Sequence, residues 1–259
     1  MSNIFLLLAI GLFTGAITGL TGASGVMAIV PLVTMLLKFS IHEAIGTSLM
    51  VDIIAPLAIS LTYYKHGNID IKSGIWIAIG SIAGAQLGTL FASYLPSVGL
   101  SGAFGIFMIL MAIVIWRKGL HNEGIAKAMQ KVFKFETKTQ RIITALILGV
   151  IVGIMTGILG AGGGGMILLI LIFVLNFPLH VAIGTSALIM SITACSGAIG
   201  YGLRGNIRLA DGFVLGLGAA LSGMLSAKFA NKVNEKVLSK IVAVIFVILA
   251  VIMTIIKYI

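Results

Sequence analysis

Gly15-Ala16-Ile17-Thr18-Gly19-Leu20-Thr21-Gly22-Ala23-Ser24-Gly25 is answered 138 positions later by Gly153-Ile154-Met155-Thr156-Gly157-Ile158-Leu159-Gly160-Ala161-Gly162-Gly163. The correspondence continues without a gap. His42-Glu43-Ala44-Ile45-Gly46-Thr47-Ser48 returns as His180-Val181-Ala182-Ile183-Gly184-Thr185-Ser186, and Tyr63 with Gly67-Asn68-Ile69 returns as Tyr201 with Gly205-Asn206-Ile207. Between 15–70 and 153–208, 20 of 56 pairs are identical, several of them polar or glycine within apolar surroundings. A repeat at fixed offset dictates the architecture. In a membrane chain it also points to where a substrate would sit.

The chain reads as a membrane protein. Hydrophobic residues make up 59% of its 259 positions and charged residues 9%, where a soluble domain carries about a quarter charged. No Asp, Glu, Lys or Arg occurs in 1–37, 73–116 or 142–203, and each stretch can hold spans of ~20 apolar residues. The N-terminus lacks a basic region and a cleavage site, so its first apolar stretch is expected to be a retained span. The single Cys195 excludes an internal disulfide and a multi-cysteine metal site, and is expected to be a small buried thiol. The net charge of +10 is no nucleic-acid signature, because its largest share lies in the linker Arg117–Arg141. Basic loops face the cytoplasm, with binding of phosphate or anionic lipid as a second use.

Hydropathy and turn signals divide each copy into five segments, 4–21, 25–37, 43–63, 72–93 and 99–116, then 142–159, 163–176, 181–202, 209–229 and 237–257. The runs are too long and too continuous for barrel strands. The first two segments of each copy together are too long for one span and too short for two. Between them stand Gly22-Ala23-Ser24-Gly25 and Gly160-Ala161-Gly162-Gly163-Gly164-Gly165. Glycine at that density weakens a helix by about 1 kcal/mol per residue, and broken backbone survives at membrane depth only under protein or in a watery cavity. Each pair is expected to be a re-entrant hairpin or a discontinuous helix.

Orientation follows from Lys and Arg. An odd number of crossings per copy inverts the second copy and leaves 13 basic residues inside against four outside; four crossings would give parallel copies and 12 against five. Span length adds to the case for inversion.

The repeated Gly-Thr-Ser follows a loop and is expected to open the third segment, where free backbone N–H groups and helix polarity suit an anion. Thr47, Ser48, Thr185 and Ser186 would add hydroxyls, and the glycine breaks a second set of amides. The plainer alternative is that Gly46-Thr47-Ser48 and Gly184-Thr185-Ser186 pack and cap helices. His42 and His180 suit a cap or interface, with a substrate or proton role as the alternative. Asp52 lies well inside a span, four residues after Ser48, and its repeat partner is Met190. Intramembrane carboxylates mark function, and this one suits coupling to a proton or Na⁺ better than holding an anion; a local hydrogen bond is the alternative. Pro56 could kink its helix, and Gln86 is a candidate neutral partner. Gly80, Gly84 and Gly88, echoed by Gly218, Ser222 and Ser226, read as packing ladders within the chain or between protomers of a homo-oligomer. Tyr63, Tyr94, Trp76 and Trp116 suit an interfacial belt.

The glycine-rich break, the Gly-Thr-Ser, the Gly-Asn-Ile after Tyr and the doubled layout together resemble the TauE/SafE group of sulfite-exporter-type permeases. The resemblance covers nearly all of the chain outside the linker. It implies transport of small anions such as sulfite, sulfoacetate or other sulfonates. Carried over by position, its motif residues are Gly22, Gly25, Pro31, Gly46, Thr47 and Ser48, then Gly160, Gly162, Gly163, Gly164, Gly184, Thr185 and Ser186. Thr21 and Ser24 depart from the glycine-rich pattern of the second copy, which bears on the substrate.

The expected fold is thus all-α, a multi-pass protein of the cytoplasmic membrane with a repeat at 1–116, a basic linker at 117–141 and a second repeat at 142–259. The expected function is a permease for small anions working by alternating access. Substrate contacts fall to Gly22, Ser24, Gly25, Gly46, Thr47, Ser48, Gly160, Gly162, Gly163, Gly164, Gly184, Thr185 and Ser186, with Asp52 as the ion-coupling candidate. A proton or Na⁺, the anion and lipid are the expected partners; no metal, cofactor or nucleic acid is expected. The alternatives are an ion-coupled carrier or channel of another cargo and a membrane scaffold that transports nothing. Enzyme chemistry has neither paired intramembrane carboxylates nor a Cys/His cluster to work with.

Overall fold

The computed structural model describes residues 4–100, 137–160, 163–234, 236–238, 240–241 and 244. Nearly all of the fifth segment of each copy and most of the basic linker lie outside these residues. Among the described residues every regular element is helical. They are α1 (Ile4–Thr21), α2 (Val26–Leu36), α3 (Ile41–Lys65), α4 (Ile71–Tyr94), α5 (Lys138–Leu159), α6 (Gly163–Leu169, continued by a π turn over Ile170–Val174), α7 (Leu179–Gly202) and α8 (Leu209–Ala230). Six are long and apolar enough to cross a membrane; Val26–Leu36 and Gly163–Val174 are shorter apolar helices. An 11-residue α2 reaches only ~16 Å at 1.5 Å per residue, about half of the ~30 Å hydrocarbon core.

Helix directions follow from glycines that let backbones touch. Gly11, Gly15 and Gly19 of α1 lie against Leu215, Ala219 and Gly223 of α8, so these helices advance together. Gly212, Gly216 and Gly223 lie against Thr47, Ile54 and Ile59, so α3 runs the same way. On the other side, Gly80, Gly84 and Gly88 of α4 abut the carbonyls of Leu146, Val150 and Ile154. Gly149, Gly153 and Gly157 of α5 return the contact at Ile77, Ser81 and Ala85. The first of these ladders is the close packing read from the sequence, and it operates within the chain. A third register, Gly74 by Thr185 and Gly200 by Thr89, sets α7 parallel to α4.

The repeat-related helices α3 and α7 cross in opposite directions. Gly46 meets Tyr201 at one end and Gly184 meets Tyr63 at the other. At the crossing, Ser191 Oγ donates to the carbonyl of Ile53, its own repeat counterpart, at 2.9 Å. Hence α1, α3 and α8 run one way and α4, α5 and α7 the other. Because α1 and α3 share a direction, α2 must carry the chain back between them, and α1–α2 is a hairpin. The first helix of each copy packs on the fourth of the other, so the copies are interlocked.

Outward faces carry apolar residues at every fourth position: Ile143, Ile147 and Ile151 on α5, and Phe213, Leu217, Leu221, Leu225 and Phe229 on α8. On a helix that spacing makes one stripe, which suits lipid. Two residues differ from the sequence-based expectation. Cys195 is exposed rather than buried, because α7 turns that position outward. Tyr63 is fully buried rather than interfacial, because its hydroxyl reaches the Gly19 carbonyl at 3.1 Å.

Candidate functional site

Both glycine breaks begin on the same backbone device. Gly22 and Gly160 take left-handed conformations, φ 65° and 64°, and their N–H groups close on the carbonyls of Thr18 and Thr156 at 2.8 and 2.7 Å. A helix stops where a residue turns left-handed, and glycine does so without penalty. Gly25 and Gly163 then press against the hydroxyls of Thr18 and Thr156, where an added Cβ would lie at 3.1 and 2.8 Å.

The breaks come together. A Cβ on Gly164 would lie 2.7 Å from the Gly22 carbonyl oxygen and 2.8 Å from the Ser24 amide nitrogen, and would strike the sulfur of Met190. Backbone from one copy thus touches backbone from the other with only a hydrogen between them. Ser186 Oγ also reaches the Gly22 carbonyl, at 3.3 Å. Gly162 lies outside the described residues.

Asp52 sits beside this meeting point, 2% exposed. Its Oδ2 accepts a hydrogen bond from Ser24 Oγ, and the same Ser24 oxygen accepts the N–H of Val26 at 3.1 Å as α2 begins. The neutral partner is therefore Ser24, from the break itself. Gln86, the candidate from sequence, instead donates to the carbonyl and hydroxyl of Ser196 at 2.7 and 3.0 Å, which holds α4 to α7. Pro56, one turn after Asp52, has no N–H to close on the Asp52 carbonyl. In the second copy Met190 takes the carboxylate's place and reaches Gly164. The contact between the copies is polar on the side of the first break, with Ser24 and Asp52, and apolar on the side of the second, with Met190.

The Gly-Thr-Ser motif does not open its helix. Ser40 caps α3 through a capping box with Glu43, and α7 starts at Leu179. Gly46-Thr47-Ser48 and Gly184-Thr185-Ser186 therefore sit in the second turn, where backbone N–H groups are engaged within the helix. Their side chains knit the copies together. Thr47 Oγ1 accepts the N–H of Arg208 at 3.1 Å, and Thr185 Oγ1 accepts the N–H of Asp70 at 3.0 Å. Gly46 and Gly184 let the carbonyls of Asn206 and Asn68 approach, which explains why Gly-Asn-Ile repeats with them. Ser48 and Ser186 bond back to Ile45 and Ile183 at 2.8 and 2.9 Å. His42 and His180 meet the carbonyls of Ala92 and Ala230 at 3.4 and 3.0 Å, tying helix ends.

The two ends are unequal. At one, Arg208 pairs with Glu43 at 3.0 Å and lies 4.1 Å over the Phe39 ring; at the other, the counterparts are Asp70, Val181 and Phe177. Among the described residues every buried side-chain nitrogen or oxygen has a hydrogen-bond partner, and no group of three or more His, Cys, Asp or Glu could hold a metal.

A family model described as Sulfite exporter TauE/SafE matches residues 7–253. Probable membrane transporter protein YunE of Bacillus subtilis (strain 168) is 29% identical over 232 residues, 84% of this chain and 85% of the relative. Probable membrane transporter protein YdhB of the same strain is 30% identical over 213 residues, 81% and 80% of the two chains. An archaeal relative, Probable membrane transporter protein MJ0441 of Methanocaldococcus jannaschii, is 29% identical over 219 residues, 82% and 76%. No solved structure matches the chain.

Proposed function

Because the chain belongs to the Sulfite exporter TauE/SafE family of membrane transporters, we propose that it is a permease for small sulfur oxyanions, sulfite and sulfonates foremost. It works in the cytoplasmic membrane by alternating access around the contact between its two glycine breaks. The observation that carries this reading is the approach of Gly164 to the Gly22 carbonyl and the Ser24 amide. The left-handed end of α1 in one copy meets the first turn of α6 in the other there, and the long helices α3 and α7 of the two copies run in opposite directions. Transporters built from inverted repeats bind their cargo where discontinuous helices meet near the bilayer midplane.

Substrate contact falls to Gly22, Ser24 and Gly25 from the first break and to Gly160, Gly162, Gly163 and Gly164 from the second. Backbone and hydroxyl donors suit an oxyanion, and glycine lets it approach the main chain. Gly46, Thr47, Ser48, Gly184, Thr185 and Ser186 form the wall behind. Their bonds to the opposite copy hold α3 and α7 against the breaks and orient Ser186 toward Gly22. The Glu43–Arg208 pair ties α3 of the first copy to the start of α8 in the second at one end of the assembly, and Asn68 donates to Asn231 at the other.

The test is transport by the purified protein in liposomes with sulfite, methanesulfonate, sulfoacetate and chloride supplied in turn. Saturable, protein-dependent flux of sulfite or the sulfonates supports the reading. Flux of none of them would overturn it and leave the scaffold alternative.

A further inference from the structure

A carboxylate beside an anion path is a paradox: buried, its charge would repel the cargo, yet Asp52 touches the first break directly. The hydrogen bonds resolve it. A serine hydroxyl has one proton to give and two lone pairs to fill. Ser24 Oγ accepts the N–H of Val26 and spends its proton on Asp52 Oδ2. While Ser24 is the donor, Oδ2 carries no proton, and the Ser24 hydroxyl has nothing to offer a substrate.

We infer that Asp52 and Ser24 form a switch through which one proton and one anion bind together. A proton arriving on Oδ2 makes the carboxyl a donor to Ser24 Oγ. Both lone pairs of that oxygen are then filled, by Val26 N–H and by the carboxyl O–H. The Ser24 proton must find a new acceptor, and the anion at the break provides one. The same event removes the negative charge that would repel the anion. This inference rests on the permease reading and specifies how that site is coupled.

Among the described residues no second acid or base shares the position. Helices α1, α2 and α6 carry no Asp, Glu, His, Lys or Arg. On α7, His180 lies at the helix start against Ala230, Cys195 faces outward, and Tyr201 donates to the Ile158 carbonyl. On α8, Asp211 and Lys228 occupy the terminal turns. On α3 itself, Glu43 pairs with Arg208 and Tyr63 donates to Gly19. The second copy has Met190 and Gly162 at the two positions, so there is one such switch per chain.

The experiment measures KM for uptake of labelled methanesulfonate, which does not titrate in the range, into liposomes holding the full chain between pH 5 and 9. The expected result is a KM that rises tenfold per pH unit above a threshold. In Asp52→Asn the amide mimics the protonated acid as a donor to Ser24, and KM should be flat with pH and low. Ser24→Ala should raise KM at acid pH, where the wild type binds tightly. The wild-type protein gives a second readout that needs no variant: above the threshold pH, about one proton taken up per anion bound, and none well below it, followed with an indicator dye in weakly buffered detergent solution. A wild-type KM flat across the range, an Asp52→Asn protein that keeps the slope, or anion binding without proton uptake above the threshold pH would overturn the switch and leave the permease standing. Absence of uptake of both methanesulfonate and sulfite at every pH would overturn the permease reading and the switch with it.

Discussion

Gly22→Ala separates two costs that the structure assigns to the first break. The backbone there is left-handed, and holding an L-residue in that region costs about 1–2 kcal/mol. The added methyl also has no room. It would lie 2.7 Å from Ser186 Oγ and 3.0 Å from both Cα and Cγ2 of Ile183. The serine can rotate, but the Cα belongs to α7 and must move, at about 1–3 kcal/mol for overpacking. The sum is roughly 2–5 kcal/mol. Gly67 provides the control: its φ is 72°, yet nothing lies within 4 Å of its would-be Cβ, so Gly67→Ala should cost only the backbone share of about 1–2 kcal/mol. Thermal melts of the two purified variants in one detergent give the comparison. Gly22→Ala should fall clearly further below wild type than Gly67→Ala. Equal falls would mean that the break is not packed against α7, and the account of converging copies would lose its footing.

Other outcomes follow from the same contacts. Thr47→Val and Thr185→Val each strip the acceptor from a backbone N–H of the other copy, costing about 1–3 kcal/mol in melts, while the serine substitutions should recover most of it. Gly84→Leu drives a side chain into the Val150 carbonyl and should uncouple α4 from α5, read as loss of monodisperse folded protein on size exclusion. Glu43→Gln removes an ion pair that is 40% and 28% exposed at its two side chains, so stability in melts should shift by at most ~1 kcal/mol. Cys195→Ala, on an outward face, should change stability by no more than about 0.5 kcal/mol and give a cysteine-free protein for labelling.

Much of the fold was legible because the repeat and the glycines state it. The expected first segment, 4–21, coincides with α1, and the first break sits where its glycines placed it. The second begins at Gly160 as expected, but Gly163, Gly164 and Gly165 open α6 instead of belonging to the break. The doubled numbering also exposed equivalences that the structure uses, such as Thr47 with Thr185. What escaped depends on tertiary contact. The helix start at Ile41 is signalled by Ser40 and Glu43, a capping-box spacing, two residues before the boundary that hydropathy and turn signals draw at 43. Gly11, Gly15 and Gly19 have the same four-residue spacing as Gly80, Gly84 and Gly88, yet nothing local says that their partner is α8 of the other copy. Tyr63 looks interfacial by position and is buried because a carbonyl from α1 waits for its hydroxyl. Asp52 stood out by its charge alone, whereas its partner Ser24 was hidden: only the fold-back of the hairpin brings residues 28 positions apart together.

The most direct test of the central claim is sulfite uptake into liposomes by the wild type and by Gly164→Val, with Gly67→Ala as the control for an altered glycine elsewhere. A valine at position 164 would fill the contact among Gly22, Ser24 and Met190. The account predicts saturable uptake by the wild type and by Gly67→Ala, and none by folded Gly164→Val. Undiminished uptake by folded Gly164→Val would show that the anion does not pass between the breaks.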